Sequence, residues 1–406
     1  MKDNQAKYPQ LRFKGFTDPW EQRKLGEFSD VRDGTHASPK YVSQGHPMVT
    51  SKNLTHSGLD MTDVSFLTDK DFNEINKRSK VSIGDILFGM IGTIGNPVIV
   101  DRDDFAIKNV ALIKEKTSNP ITNKWLLQYL KSPSFNRFIQ KENAGGTQKF
   151  IALGLIRDMK LRVPEFDEQQ KIGTFFKKID DTIALHQRKL AKLKELKQGY
   201  LQKMFPQNGS KFPQLRFAGF ADDWEQVRFG DLYDKINEKN DLSFGSDQII
   251  SVANMYYKES SNVNSSDDYM KTYNIFRKGD IAFEGHKSKH YSYGRFVEND
   301  IGDGIVSHVF DVFRPKTDYD LYFWKYLINN ENVMGHVLRR VTTKATMMNN
   351  LVAKDFLKAS IHVPTTEEQT KIGNFLATLD SQITIHQRKL DLLKEQKKGF
   401  LQKMFI

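Results

Sequence analysis

Lys171 to Phe205, KIGTFFKKIDDTIALHQRKLAKLKELKQGYLQKMF, returns as Lys371 to Phe405, KIGNFLATLDSQITIHQRKLDLLKEQKKGFLQKMF, with 21 of 35 positions identical. Apolar residues recur in both at spacings that alternate three and four, the pattern of a helix with a heptad seam. In the first copy one seam row is Phe176, Ile183, Leu190, Lys197 and Met204, and the other is Ile179, His186, Leu193 and Tyr200. The second copy gives Leu376, Ile383, Leu390, Lys397 and Met404 with Leu379, His386, Leu393 and Phe400. Each stretch follows Val163-Pro164 or Val363-Pro364 and opens on Asp167-Glu168 or Glu367-Glu368, acidic residues that complement a helix N-terminus. A helix from about 168 to 204 is roughly 55 Å long at 1.5 Å per residue, and it cannot bury such a stripe alone. A globular segment separates the end of one helix from the start of the next. Antiparallel pairing about a pseudo-two-fold axis is therefore the economical arrangement, with packing of each helix on its own globular domain as the alternative.

The repeat extends to the other end of the unit. Pro9-Gln10-Leu11-Arg12-Phe13-Lys14-Gly15-Phe16, with Asp18 and Trp20-Glu21-Gln22, returns as Pro213 to Phe220 with Asp222 and Trp224-Glu225-Gln226, identical at 11 of 14 positions. A period near 200 is far above the 20 to 50 residues of solenoids and marks duplication of whole domains. Between the ends most side chains differ, although Gly84-Asp85-Ile86 still matches Gly279-Asp280-Ile281. Two divergent inserts on one repeated frame suit two recognition surfaces on one mount; drift of surface loops is the bland alternative. The expected domains are 1–163, a spacer helix over 164–206, 207–363, and a second spacer helix over 364–406. Ile86–Phe88, Pro97–Val100, Val110–Ile113, Gln248–Val252 and His308–Phe313 read as buried strands, while Trp125–Leu130 and Tyr322–Leu327 read as helices. The expected class is α+β: two similar α+β domains joined by two long helices in an antiparallel coiled coil.

The 406 residues carry 61 Lys and Arg against 50 Asp and Glu, a formal charge of +11, which suits a globular protein with a polyanionic partner. With no cysteine there can be no disulfide, thiolate nucleophile, iron-sulfur cluster or cysteine zinc site. The first residues, MKDNQAK, lack an apolar signal core, and no run of about 18 apolar residues occurs, so a cytoplasmic, non-membrane protein is expected.

Signatures of catalysis are missing. There is no Gly-x-x-x-x-Gly-Lys-Ser/Thr phosphate loop and no Asn/Asp-Pro-Pro-aromatic loop for gripping a flipped base, and Gly89-Met90-Ile91-Gly92-Thr93-Ile94-Gly95 reads as a tight turn. Glu284, His286 and His290 could suit a metal, but Lys287, Lys289 and Arg295 crowd them with positive charge. The same segment, with Tyr291, suits DNA: Lys and Arg neutralise phosphates, His meets base edges, and Tyr packs on sugars. In the first copy the candidates are Arg32, Thr35, His36 and Lys40, the turn with Lys52 and Asn53, and Gln148-Lys149; Lys344 lies before the second helix. Any one of these alone reads as a solvated turn. Together they are basic, polar loops on two related platforms, which favours reading of a bipartite duplex.

The chain resembles the DNA specificity subunit of type I restriction-modification systems over essentially all its length. The resemblance rests on the paired Pro…Glu-Gln-x-Lys-Ile stretches (Pro164, Glu168-Gln169, Lys171-Ile172; Pro364, Glu368-Gln369, Lys371-Ile372), the Leu-Arg-Phe-x-Gly-Phe segments before Trp20 and Trp224, and Asp33-Gly34-Thr35-His36 with Pro39. The second copy lacks that last element. The resemblance implies that each domain reads half of a split DNA target while the helices set the spacer and dock two modification subunits. S-adenosylmethionine would belong to those subunits, and ATP and Mg-dependent translocation and cleavage to restriction subunits; no catalytic residue, cofactor or metal is expected on this chain. Two other readings remain open: a degenerate methyltransferase or nuclease, which activity of the chain alone would reveal, and a non-DNA coiled-coil scaffold, which absent duplex binding would reveal.

Overall fold

The computed structural model describes residues 8–56, 58–116, 121–142, 150–207, 210–259, 266–317, 319–344 and 348–406. Both long helices form, Phe166–Lys203 and Thr366–Lys403, each of 38 residues and so about 57 Å long. The chain divides into two compact units, residues 1–188 with 387–406 and residues 189–386, so each unit combines one globular segment with parts of both helices.

In the first unit a four-stranded antiparallel sheet runs in the order Ser29–Asp33, Val110–Glu115, Ile86–Gly89, Gly95–Ile99. The second unit repeats that order with Tyr233–Ile236, Val312–Pro315, Ile281–Glu284 and Arg295–Glu298. A two-stranded ribbon ties the start of each globular segment to the residues just before the long helix: Glu21–Lys24 with Lys160–Val163, and Glu225–Arg228 with Ser360–Val363. The inserts differ. The first unit adds a sheet in the order Ala106–Ile107, His46–Val49, Ser65–Leu67, Tyr41–Val42, while the second pairs Asn274–Phe276 with Gly304–Val306. Two expected strands are shorter than their apolar runs. Within 248–252 only Ile250–Ser251 forms a strand, with Ile249 in a single bridge to Ile305, and the run from His308 becomes strand at Val312, because Phe310 N–H turns back to the Ser307 carbonyl and leaves Val309 exposed.

The repeated residues hold the frame. Arg12 grips the fully buried Glu168 with both arms of its guanidinium, 2.9 and 2.7 Å, and Arg216 does the same to Glu368 at 2.8 and 2.7 Å. The Gln169 and Gln369 side-chain amides donate to the Pro164 and Pro364 carbonyls, closing each helix start. Lys171 lies over the Phe16 ring and Lys371 over Phe220, at 4.6 and 4.7 Å. The matched Gly-Asp-Ile turns work alike: Gly84 and Gly279 take the positive φ of a tight turn, and the Asp85 and Asp280 carboxylates accept the backbone N–H three residues back, from Ser82 and Arg277.

Within each unit the two long helices run antiparallel. In the first, Phe175 meets Phe400 at 5.0 Å between ring centroids and Lys397 meets Asp180 at 2.7 Å. In the second, Tyr200 meets Phe375 at 4.8 Å and Lys197 meets Asp380 at 2.6 Å. Phe176 and Ile179 join the first unit's core, Leu376, Leu379 and Leu193 join the second's, and Leu190 and Leu390 are buried; Ile183, His186, Ile383, His386 and Leu393 are half-buried. Each helix ends in a plug: Phe405 packs against Trp20, Trp125, Tyr129 and Phe176 in the first unit, and Phe205 packs against Phe323 in the second.

Candidate nucleic-acid interface

In the first unit the Asp33-Gly34-Thr35-His36 element lies along the end of the sheet, held by residues that only the fold brings to it. The Thr35 N–H donates to the Ile107 carbonyl, and the Ala37 N–H donates to the Thr35 hydroxyl, a local turn. A Cβ on Gly34 would stand 2.3 Å from the Ile107 carbonyl oxygen, so only glycine lets these segments approach. His36 is exposed yet fixed at both nitrogens, Nδ1 to Asn109 Oδ1 at 2.7 Å and Nε2 to Asp33 Oδ2 at 2.9 Å. Those two bonds, the one to Asn109 first, hold the His36 pKa above the ordinary imidazole value and favour the cation. Arg78 also reaches Asp33, and Lys108 Nζ donates to the Ser38 hydroxyl at 2.9 Å. Sequence reasoning missed Arg78, Lys108 and Asn109. Asn109, at φ +56 beside Lys108, offers the one local signal, since asparagine tolerates the left-handed region.

The other first-unit candidates divide. Lys40 is exposed, and Lys52 pairs with Asp63 at 2.9 Å where both side chains face water, a pair worth at most about 1 kcal/mol that a phosphate can replace. Arg32 is held by Asp30 at 2.8 Å and donates to the Arg78 carbonyl. Asn53 is 2% exposed; its amide donates to the Asp60 and Asp63 carbonyls and its oxygen accepts from Thr50, so it builds its turn and does not face a ligand. Gln148 and Lys149 lie outside the described residues.

In the second unit His286, Lys287, Lys289 and His290 are exposed on the turn between the two strands at the sheet's edge. A bridge from His286 to Met348, and the Asn349 N–H to the Gly285 carbonyl, stitch this turn to the hairpin of Thr342–Lys344 with Asn349–Leu351. Lys344 is exposed on that hairpin, so two stretches far apart in sequence form one basic edge. The first unit has the same stitch, Ile91 bridging Phe150 and Ile151 N–H donating to the Met90 carbonyl. Two candidates turn inward. Arg295 binds Glu284 Oε2 at 2.7 Å and the Ala253 carbonyl at 2.6 Å, and the Tyr291 hydroxyl donates to Asn329 at 2.6 Å with its ring beneath Arg295. Glu284 is thereby taken by Arg295, its other oxygen standing 3.7 Å from His286. No helix among the described residues is long and apolar enough to cross a membrane.

Two α+β units on one duplicated helical frame, each presenting exposed cationic side chains on loops of its globular segment, define a duplicated scaffold for reading an extended anion. The chain belongs to the type I restriction modification DNA specificity domain family, whose model matches residues 17–195 and 221–395. It is 19% identical to the MjaVIII type I restriction enzyme specificity subunit of Methanocaldococcus jannaschii over 95% of this chain and 91% of that one. A match to that organism's MjaX specificity subunit, 24% identical, spans about half of each protein, 52% and 52%. The fold matches the type I restriction-modification S subunit of M. genitalium at a TM-score of 0.63, 15% identity and coverage of 98% and 99%.

Proposed function

We propose that the chain is the sequence-reading subunit of a type I restriction-modification complex, each unit recognising one half of a bipartite duplex target. The observation that carries this is a repeated frame that presents exposed cationic loops in both units, His36, Lys40 and Lys52 in the first and His286, Lys287, Lys289, His290 and Lys344 in the second, on globular segments in which most side chains differ. The specificity-subunit names of the M. jannaschii relatives support it. On this reading His36, Lys40, Lys52 and Lys108 in the first unit and His286, Lys287, Lys289, His290 and Lys344 in the second meet phosphates and base edges. The long helices set the spacer between half-sites and dock two modification subunits. Those subunits supply S-adenosylmethionine and methyl transfer; restriction subunits, where present, supply ATP and Mg chemistry. The chain itself is non-catalytic and acts in the cytoplasm.

Exchanging residues 207–363 for the equivalent segment of a relative tests the reading. Mapped methylation by the assembled complex should change at one half-site and keep the other. A change at both, or at neither, refutes it.

A further inference from the structure

The repeated frame creates a cavity at the same place in each unit, where a long helix passes the turn that follows the helix Asn123–Leu130 or its counterpart Leu321–Ile328. In the first unit this cavity, about 440 Å³, falls within the roughly 300–1,000 Å³ of small-molecule sites. Four lysines converge on it: Lys131 at the end of the helix Asn123–Leu130, and Lys394, Lys397 and Lys398 from the long helix. The lining also carries the apolar side chains of Pro97, Phe135, Ile139 and Leu401. No carboxylate is among the described residues that line it; Asp180 reaches only the edge, where it already binds Lys397 at 2.7 Å and accepts from Gln128 at 3.1 Å.

The frame does not require this charge. In the second unit Gln128 becomes Tyr326, which donates to Asp380 as Gln128 does to Asp180, and the positions of Lys131 and Lys398 become Asn329 and Gln198. That cavity is lined instead by Glu298, Asp300, Glu331 and Asp380 along with lysines. Asn329 is satisfied there, donating to the Phe296 carbonyl and accepting from Tyr291. Lys131 is the costly choice: burial, with Lys397 nearby, pulls its pKa down to about 8, so the folded chain resists its ammonium form. A half-buried lysine among lysines, in a cavity also lined by apolar side chains, is relieved by an anion that carries its own apolar body.

We propose that the first-unit cavity binds a small phosphorylated ligand of the nucleoside monophosphate class, its phosphate on Lys131, Lys394 and Lys398 and its base against Phe135, Ile139 and Leu401. A duplex phosphate would meet Lys394 and Lys398, which are exposed, and not the recessed Lys131. Bound phosphate restores the proton to Lys131, so affinity weakens as pH rises through about 8, where the ligand-free amine has lost it. Lys394, Lys397, Lys398 and His56 also face the site, and Asp180 stands behind Lys397.

The test is calorimetric titration of the full chain with AMP and, separately, with inorganic phosphate. AMP should bind saturably at one site per chain, and phosphate roughly tenfold more weakly or worse, since it lacks the apolar body. Lys131→Gln with Lys398→Gln, which copies the polarity of the second unit, should lower AMP affinity at least about tenfold, the loss of a charge-assisted hydrogen bond. Lys398→Gln alone, on an exposed helix face, keeps the test sound should Lys131→Gln unfold, and AMP should also protect Lys131 from an amine-reactive label. No saturable binding, equal binding by the double variant, or phosphate binding as well as AMP overturns the proposal. Half-site recognition is measured separately by methylation mapping, so the two readings fail independently.

Discussion

Trp20 and Trp224 occupy the same frame position, 2% exposed in both units, but only one of them is bonded. The Trp20 indole donates to Glu168 Oε2 at 3.0 Å, whereas the Trp224 indole nitrogen is buried with no hydrogen-bond partner. Replacing each by Phe removes similar ring volume from similar aromatic surroundings, with Trp125 at 6.2 Å from Trp20 and Phe323 at 6.1 Å from Trp224, so the packing loss nearly cancels in the comparison. What remains is the polar part. Trp20→Phe gives up a hydrogen bond to a charged acceptor, about 1.5–3 kcal/mol, while Trp224→Phe removes an unsatisfied buried donor whose desolvation costs about 1–3 kcal/mol. The two variants should therefore differ by about 2.5–6 kcal/mol, Trp20→Phe being the worse. For a unit of this size that is roughly 5–24 °C in Tm. Thermal melts followed by far-UV circular dichroism measure it, and hydrogen exchange at Val110–Glu115 against Val312–Pro315 assigns the loss to a unit. Equal destabilisation, or a greater loss for Trp224→Phe, would refute the claim that Glu168 is clamped from two sides and Glu368 from one.

Two further outcomes are expected. Glu298, 3% exposed, has its pKa pushed up to about 9 by burial, from 4.5; between those values the unfolded chain releases a proton that the folded one keeps, so stability falls as pH rises, by at most about 1.4 kcal/mol per unit. Glu298→Gln has nothing to titrate, and its advantage in urea unfolding should widen from pH 5 to pH 9; parallel profiles would exclude a neutral Glu298. Lys289→Ala and Lys344→Ala should leave stability unchanged and flatten the salt dependence of duplex binding by the assembled complex, by up to about 0.9 in log-log slope for each phosphate no longer neutralised. Arg295→Ala should lower stability by several kcal/mol, because it leaves Glu284 without its ion-pair partner; a destabilised lysine variant, or an Arg295 variant altered only in salt slope, would reverse these assignments.

The helices were legible because a heptad seam is a local pattern repeated many times, and the duplication supplied a second reading of every position. The seam's oddities were not. Lys197 and Lys397 break the apolar rows, and only the fold reveals that each is met by an aspartate of the facing helix, Asp380 or Asp180. In the loops, sequence could name residue types able to touch DNA but not which way they turn. Asn53 and Lys52 are neighbours of equal promise, yet Asn53 is sealed in its own turn while Lys52 faces water. Arg295 and Lys289 differ in the same way, because a carboxylate eleven residues back along the hairpin captures the guanidinium. Arg78 was unreadable for the opposite reason: its meeting with Asp33 depends on where the helix Asp69–Ser79 lands.

The uneven divergence of the two copies follows from where their bonds end. Arg12 binds Glu168, Lys171 covers Phe16, and the Leu11 N–H donates to the Lys403 carbonyl, so frame residues find their partners inside the repeated ends, and each pairing recurs with Arg216, Lys371 and Leu215. A change at either partner breaks a buried or interlocked pairing, which confines both. Insert residues bond mostly to their own insert, as Asp33, His36, Arg78 and Asn109 do in the first unit and Glu284, Arg295 and Ala253 in the second, so one set can be replaced without disturbing the mount. Where insert meets frame, the frame side holds still while the insert side varies. Asp180 and Asp380 are the same acceptor in the same place, receiving an amide from Gln128 in one unit and a hydroxyl from Tyr326 in the other. A mount that asks its inserts only for one hydrogen-bond donor at that position can accept many different reading surfaces.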